Sequence, residues 1–186
     1  MFCIAFSYAN LILDASLILF PLLYVKYAER LKIKATDFGL PGKAAQANPV
    51  KELGLALKIT GALFAVSFAL TIILSLLHLN DLSAVEGIIE AISAEPFYVL
   101  IYLMVVRVFA EEFFFRAFLV PRMGVIGSSL LFAASHITYG SGAEVIGALA
   151  LGGVLGHYYS KEKKLLPNFI AHLLYNAVAI SLMVAA

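Results

Sequence analysis

The sequence predicts an all-α, polytopic transmembrane bundle of about six spans, folded as a single domain over residues 1–186. The composition is 62% hydrophobic and 13% charged, whereas a typical soluble domain is roughly 45–50% apolar and about 25% charged. Several apolar runs approach the ~20 residues that a helix needs to cross a bilayer, and they lack the alternation of barrel strands. The mean hydropathy of +0.96 agrees with this class. The chain is therefore predicted to be a multi-pass integral membrane protein, in contact with the lipid bilayer.

Charge and cysteine content narrow the functional classes. The net charge is +1 and the isoelectric point is about 7.8, so nothing predicts a nucleic-acid-binding surface. The single cysteine, Cys3, excludes an intramolecular disulfide.

The spans follow the apolar runs in order. The acidic segment "NDLSAVEGIIEAISAEP" between the second and third spans is predicted to lie along the membrane interface as an amphipathic helix. Pro121 and Gly124 mark the end of the third span, and Pro167 suits the first turn of the sixth. The expected spans are residues 4–25, 55–78, 97–119, 125–138 and 144–159, and a sixth that runs to the C-terminus.

The positions of the basic residues predict the orientation. Seven of the thirteen Lys and Arg fall between residues 26 and 58, and others follow the third and fifth spans. The loops at 79–96 and 138–144 have none. Because basic loops favour the cytoplasmic side, we expect the N-terminus to lie outside.

Ionisable groups inside the spans are the candidate functional residues, because charge within a membrane is costly and usually functional. Helical rise places Glu111 and His172 roughly 10–12 Å from the cytoplasmic end and His136 roughly 18 Å from it. Three helices can therefore bring a carboxylate, two imidazoles and a carboxamide together, which suits activation of water. The third span carries Arg107, Glu111, Glu112 and Arg116, the fourth carries His136, and the sixth carries His172 and Asn176.

Other interpretations of these residues remain open at this stage. Glu112 and Arg116 suit a structural ion pair, and His136 or Asn176 suits hydrogen bonding between helices. Buried acidic and basic groups also occur in proton-coupled transporters. Asp14 in the first span receives no role.

Three ordered motifs resemble the CPBP family of intramembrane proteases, which includes the type II CAAX prenyl endopeptidases and bacteriocin-processing or immunity relatives. "EEFFFR" matches E-E-x-x-x-R, "FAASH" matches F-x-x-x-H, and "HLLYN" matches H-x-x-x-N. The segment "ATDFGLPG" is also similar to that family. The resemblance covers roughly residues 32–180, with a catalytic core over 96–180.

The resemblance implies a fold, an activity and roles for particular residues. It implies a helical bundle with a conical, water-filled cavity open to the cytoplasm, and cleavage after a prenylated cysteine that releases the last three residues. By position, Glu111 and His136 would activate water, and His172 and Asn176 would hold the oxyanion. Glu112 and Arg116 would position Glu111 and stabilise the third helix. The expected partner is a prenylated or otherwise hydrophobic peptide.

The catalytic type and the substrate have alternatives. Glu111, His136 and His172 could supply three zinc ligands, but the sequence has no H-E-x-x-H motif, and we favour a metal-free glutamate mechanism. CAAX-cleaving members have more spans than six. The alternative is therefore a non-catalytic or differently specific protein of bacteriocin immunity or peptide processing.

Overall fold

A computed structural model describes residues 8–42, 48–79, 81, 85–87, 90 and 94–185. Within these residues the regular structure is helical, with six main helices and no strand, as the sequence predicts. A π-helical turn, Tyr24–Ala28, extends the first helix, and a short 3₁₀ helix, Ala35–Phe38, follows. The main helices are α1 (Tyr8–Leu23), α2 (Pro49–Leu76), α3 (residues 97–119), α4 (Val120–Ser135), α5 (Gly142–Glu162) and α6 (Leu165–Ala185).

Helix α3, which carries the two adjacent glutamates, alternates between two helical types. Its α-helical segments are Phe97–Ile101 and Val108–Glu111, and its π-helical segments are Tyr102–Arg107 and Glu112–Leu119. The wider turns of a π-helix change the direction in which following side chains point, and such segments are frequent at functional sites.

The backbone of α4 breaks at Gly124, about one turn after the helix begins. Its dihedral angles are φ 74° and ψ 176°, a conformation that essentially only glycine adopts. Pro121 lies just before the break, in the first turn of α4, where its missing N–H costs nothing. The end that the sequence predicts from Pro121 and Gly124 is therefore present.

Successive helices run in opposite directions, so the bundle has two distinct ends. One end, called the basic end below, holds the turns after α1, α3 and α5. There Arg122 pairs with Glu29 at 2.8 Å and Lys164 pairs with Glu52 at 3.6 Å. The loop "ATDFGLPG" packs at this end, where Phe38 stacks on Phe113 with ring centroids 4.6 Å apart.

At the opposite end, Asp81 joins the segment after α2 to the beginning of α5. Its carboxylate accepts hydrogen bonds from the backbone N–H groups of Ala143 and Gly142, at 2.9 and 2.7 Å, and from the Ser141 hydroxyl at 2.8 Å. The two backbone N–H groups, with a smaller contribution from Ser141, lower the pKa of Asp81 to about 2.

The core surrounds α3 and the contact between α4 and α5. Phe113 and Phe115 are both 5% exposed, so they belong to the protein interior rather than to a lipid-facing surface. The face of α5 that carries Gly152 and Gly156 packs closely on α4. A Cβ at Gly152 would lie 3.1 Å from the Phe132 ring, and one at Gly156 would lie 3.0 Å from Val125. Small residues at these positions therefore allow the two helices to approach.

Three of the six helices are long and apolar enough to cross a membrane by length and composition. They are Asn10–Ala28, Pro49–Leu76 and Leu165–Met183. Of the others, α4 has 16 residues, and α3 carries four charged side chains. The count of six spans stays a prediction. Of the predicted interfacial helix, residues 85–87 and 90 are helical, whereas 80, 82–84, 88–89 and 91–93, like Cys3, lie outside the described residues.

Candidate active site

A cavity of about 260 Å³ lies between α1, α3 and the end of α4, and it brings Glu111 and His136 together. These two residues come from motifs 25 positions apart in the sequence. Arg107 and Asp14 also line the cavity, so three of its eleven lining residues are charged. The full lining is Asn10, Leu13, Asp14, Leu17, Arg107, Glu111, Phe115, Ser135, His136, Thr138 and Tyr139.

The adjacent glutamates of α3 occupy different environments. Glu111 lines the cavity and is partly exposed, whereas Glu112 is 0% exposed. Neighbouring residues on a helix project about 100° apart, which explains the separation. The Glu111 carboxylate makes no hydrogen bond or salt bridge to a described residue, but it lies within electrostatic reach of His172, Arg107 and Arg116.

His136 is held by a hydrogen bond that fixes its tautomer. Its Nδ1 lies 2.8 Å from the backbone carbonyl oxygen of Phe132. A carbonyl can only accept, so Nδ1 carries the proton and the neutral ring has its lone pair on Nε2. The ring also stacks on Tyr139, with centroids 5.3 Å apart. His136 is therefore a fixed imidazole whose Nε2 can accept a proton.

His172 is oriented by Glu112, not by Glu111. Its Nδ1 lies 2.9 Å from Glu112 Oε1, and both side chains are buried. A carboxylate accepts from Nδ1–H and leaves Nε2 of the neutral ring free, which is how carboxylates commonly orient functional imidazoles. The role of Glu112 expected from the resemblance was to position Glu111. The contact seen here is instead with His172 on α6.

Arg116 stands behind this pair. Its Nε is 3.4 Å from Glu112 Oε1, and its guanidinium lies 4.2 Å from the centre of the Phe132 ring. The side chain is 0% exposed, and none of its nitrogens has a hydrogen bond within the described part of the chain. The Arg116 charge thus faces one carboxylate and two aromatic rings, those of Phe132 and, at 5.9 Å, Phe115. The same Phe132 ring contacts both histidines, with centroids 4.6 Å from His136 and 6.1 Å from His172.

The two asparagines of α6 differ in their contacts. Asn176, one turn after His172, is partly buried, and its side chain has no hydrogen bond to another described residue. Asn168, one turn before His172, is 1% exposed and donates to the Leu155 carbonyl oxygen at 2.7 Å. Asn168 fixes α6 against α5, and the sequence analysis did not identify it. Its spacing of four from His172 was the available signal.

Asp14 also has a partner that the sequence analysis missed. It is 2% exposed, accepts from the Tyr102 hydroxyl at 2.7 Å, and pairs with Arg107 Nε at 3.2 Å. The signal was present: the one acid of α1 and the first of the two arginines of α3 lie in the first halves of their helices. This pair links α1 to α3 at the cavity wall.

The donor groups do not form a preformed metal site. Over the residues that the structure describes, no three His, Cys, Asp or Glu side chains converge closely enough to hold a metal ion. Glu111, His136 and His172 therefore do not fit a three-ligand zinc centre as they are arranged.

The cavity lies away from the basic end. Its lining includes Asn10 at the beginning of α1 and Tyr139 between α4 and α5, whereas the basic residues follow the other ends of these helices. A second cavity of about 510 Å³ at the basic end is lined by the "ATDFGLPG" loop, by Lys51 and by the α5–α6 turn.

Together, the fold and the site define a helical membrane protein with paired acidic, imidazole and arginine groups between its helices. Residues 93–178 match the family model described as type II CAAX prenyl endopeptidase Rce1-like. The match covers 86 of the 186 residues; it agrees with the resemblance of the three motifs to the CPBP family and suggests a CAAX-type intramembrane protease. Comparisons with curated proteins and with solved structures found no match.

Proposed function

We propose that this protein is an intramembrane endopeptidase that hydrolyses a peptide bond with water activated by Glu111 and His136. The observation that carries the proposal is the shared cavity: a carboxylate without a hydrogen-bond partner in the described chain and a fixed imidazole face the same space. General bases need this freedom, because a group already engaged in a tight pair is a poorer proton acceptor.

In the proposed reaction, one proton leaves the attacking water and one proton reaches the departing amine. Glu111 takes a proton from water as the hydroxide adds to the scissile carbonyl carbon, and an oxyanion forms. Asn176 donates a hydrogen bond to that oxyanion, and His172 donates a second one from Nε2 in its doubly protonated form, while Glu112 accepts from Nδ1–H. The carbon–nitrogen bond then breaks, and the proton passes to the departing amine through Glu111 or His136. Each atom that enters leaves in one of two products, a carboxylic acid and an amine.

We favour a metal-free form of this mechanism. The arrangement of Glu111, His136 and His172 supports it, because the three side chains do not converge on one point in the described part of the chain. We therefore expect a chelator to leave the rate unchanged.

The proposed substrate is a prenylated CAAX peptide, whose last three residues are released. A hydrophobic anchor suits a site between membrane helices, and the family supports this substrate class. Cleavage of a farnesylated CAAX peptide by the purified protein tests the proposal. We expect Glu111→Gln to reduce the rate by about 10²–10⁴-fold, the usual contribution of a general base. An unchanged rate in that variant would overturn the role of Glu111.

Orientation decides whether a cytoplasmic substrate can reach the cavity. The charge rule puts the basic end in the cytoplasm, and the cavity with Glu111 then opens on the other side. A CAAX substrate requires the reverse. The two expectations exclude each other for this cavity, because its lining residues Asn10 and Tyr139 lie at the end of the bundle opposite the basic loops.

Labelling of single cysteines in sealed vesicles of known orientation separates the two orientations. Replacing Cys3 with serine leaves a cysteine-free chain, to which Thr138→Cys at the mouth or Lys161→Cys at the basic end is added. Reaction of Thr138→Cys from the cytoplasmic side supports a CAAX substrate. Reaction from the other side keeps the hydrolytic site but directs the search to hydrophobic peptides outside the cytoplasm.

A further inference from the structure

Arg107 in the cavity wall carries more hydrogen-bond donors than the protein uses. A guanidinium has five N–H groups. Its Nε pairs with Asp14, at 3.2 Å from Oδ1 and 3.3 Å from Oδ2. Its Nη2 is shielded from solvent and has no hydrogen-bond partner within the described part of the chain. Nη1 also has no hydrogen bond to a described residue and, unlike Nη2, is not shielded from solvent, so it can meet an acceptor that enters the cavity.

The position of this guanidinium is fixed by its neighbours. Asp14 is itself held by the Tyr102 hydroxyl at 2.7 Å, and the Asp14 side chain is only 3% exposed. The Arg107 side chain is 19% exposed and borders the cavity. A preorganised arginine of this kind suits a planar, two-oxygen acceptor such as a carboxylate.

We propose that Arg107 binds the C-terminal carboxylate of the peptide substrate and so determines which bond lies at Glu111. This inference rests on the proposed function, since it describes the same cavity. Arg107 precedes Glu111 by four residues, about 6 Å of helical rise, toward the mouth. Three extended residues span at most about 11 Å, a length that the rise and the long arginine side chain together can match.

The other charges around the cavity agree with this placement. Asp14 is already paired with Arg107, and Glu111 would repel a second carboxylate. The substrate terminus is therefore favoured at the arginine and disfavoured at the base. A released tripeptide would lie at the mouth side of the cavity, with Glu111 and the remaining acyl product deeper in the bundle.

The test measures binding, so that it does not depend on cleavage. The Glu111→Gln protein is titrated with a farnesylated CAAX peptide as the free acid and as the C-terminal amide. Charge-assisted hydrogen bonds contribute about 1.5–3 kcal/mol, so we expect the acid to bind about ten- to a hundredfold more tightly than the amide. Adding Arg107→Gln should bring the ratio close to one, and Arg107→Lys should restore part of it.

Arg122 offers a matched control. Like Arg107, it pairs with a carboxylate of the first helical segment, but its partner is Glu29 and the pair lies at the basic end. Arg122→Gln in the Glu111→Gln protein should keep the full preference for the acid. Because Arg107→Gln leaves Asp14 unpaired, the double change Asp14→Asn with Arg107→Gln removes both charges and should show the same loss of preference in a folded protein.

The outcomes separate this inference from the proposed function. Equal binding of acid and amide, or failure of both to bind, overturns the role of Arg107 whether or not the native chain cleaves. A preference for the acid that Arg107→Gln abolishes, in a protein whose native form cleaves neither peptide, supports Arg107 and overturns the protease. Loss of the preference for the acid in the Arg122→Gln variant would also overturn the role of Arg107, because removing any arginine would then have the same effect.

Discussion

The two sides of α3 carry similar residues in opposite states. On the cavity side, Glu111 has no hydrogen bond or salt bridge to any described residue, and Arg107 has donors to spare. On the side facing α6, Glu112 is bonded to His172 at 2.9 Å and lies 3.4 Å from Arg116. The polar groups on the cavity side are therefore available to a ligand, whereas those on the side facing α6 bind each other.

The difference shows how adjacent, chemically identical residues acquire separate duties. Glu112 compensates a buried guanidinium and fixes an imidazole, so its contribution is to position and stability. The Glu111 side chain has no such partner in the described chain, so we expect it to contribute little to stability and to remain available for the proposed reaction. Functional groups are often kept at some expense of stability in this way.

The largest expected effect comes from breaking the paired side. Glu112→Gln removes the negative charge beside Arg116 and leaves a fully buried guanidinium unbalanced. Loss of one partner of a buried pair typically costs about 3–5 kcal/mol. Thermal unfolding in detergent should therefore show a strongly lowered midpoint for this variant.

Glu111→Gln is the matched variant for that measurement, at the next residue and with the same chemical change. It should leave the unfolding midpoint unchanged or slightly raised, since the carboxylate is unpaired. The corresponding gain in the free energy of unfolding should be no more than about 1 kcal/mol. Equal destabilisation by the two substitutions would show that the two sides of α3 do not differ as described.

An intermediate effect is expected at His136, the second cavity residue. Its Nδ1–H bond to the Phe132 carbonyl can be imitated by the amide of asparagine, whereas the longer glutamine places its amide near the position of Nε2. His136→Gln should be less stable than His136→Asn by about 1 kcal/mol, the usual net value of one hydrogen bond. Both should lose activity. The reverse order of stability would mean that Nδ1 is not the bonded nitrogen.

The smallest effect is expected at Asp81, which touches neither side of α3. Hydrogen bonds from Ala143, Gly142 and Ser141 lower its pKa from 3.8 to about 2. A carboxyl with a lowered pKa stabilises the fold above its ordinary pKa, and the contribution is lost as the pH falls through about 2. The unfolding midpoint of Asp81→Asn should lie slightly below that of the native chain at pH 7 and coincide with it near pH 2. A difference that persists at pH 2 would assign the stabilisation to something other than the carboxylate charge.

The sequence predicted the helices well because apolar run length and glycine or proline position are local properties. The all-helical class and the break near Gly124 both appear in the structure. Helical depth also indicated that Glu111 and His136 could meet, and they share one cavity.

The pairings between helices were harder to predict, because they depend on rotation about each helix axis. Spacing alone did not show that His172 bonds to Glu112, or that Asp14 pairs with Arg107. The π-helical segments of α3 add to the difficulty, because they change the angle between successive side chains. A single sequence gives depth from residue counts but gives little information on which helices are neighbours.

The break at Gly124 has a consequence for chirality. Its φ of 74° and ψ of 176° are the mirror image of ordinary extended backbone, and open space surrounds the position where an L-residue would place its Cβ. The restriction on this site thus comes from the handedness of amino acids and not from crowding. A chain assembled by chemical ligation with D-alanine at 124 would meet no backbone penalty there, whereas the L-enantiomer would strain the turn that joins the site helix to its neighbour.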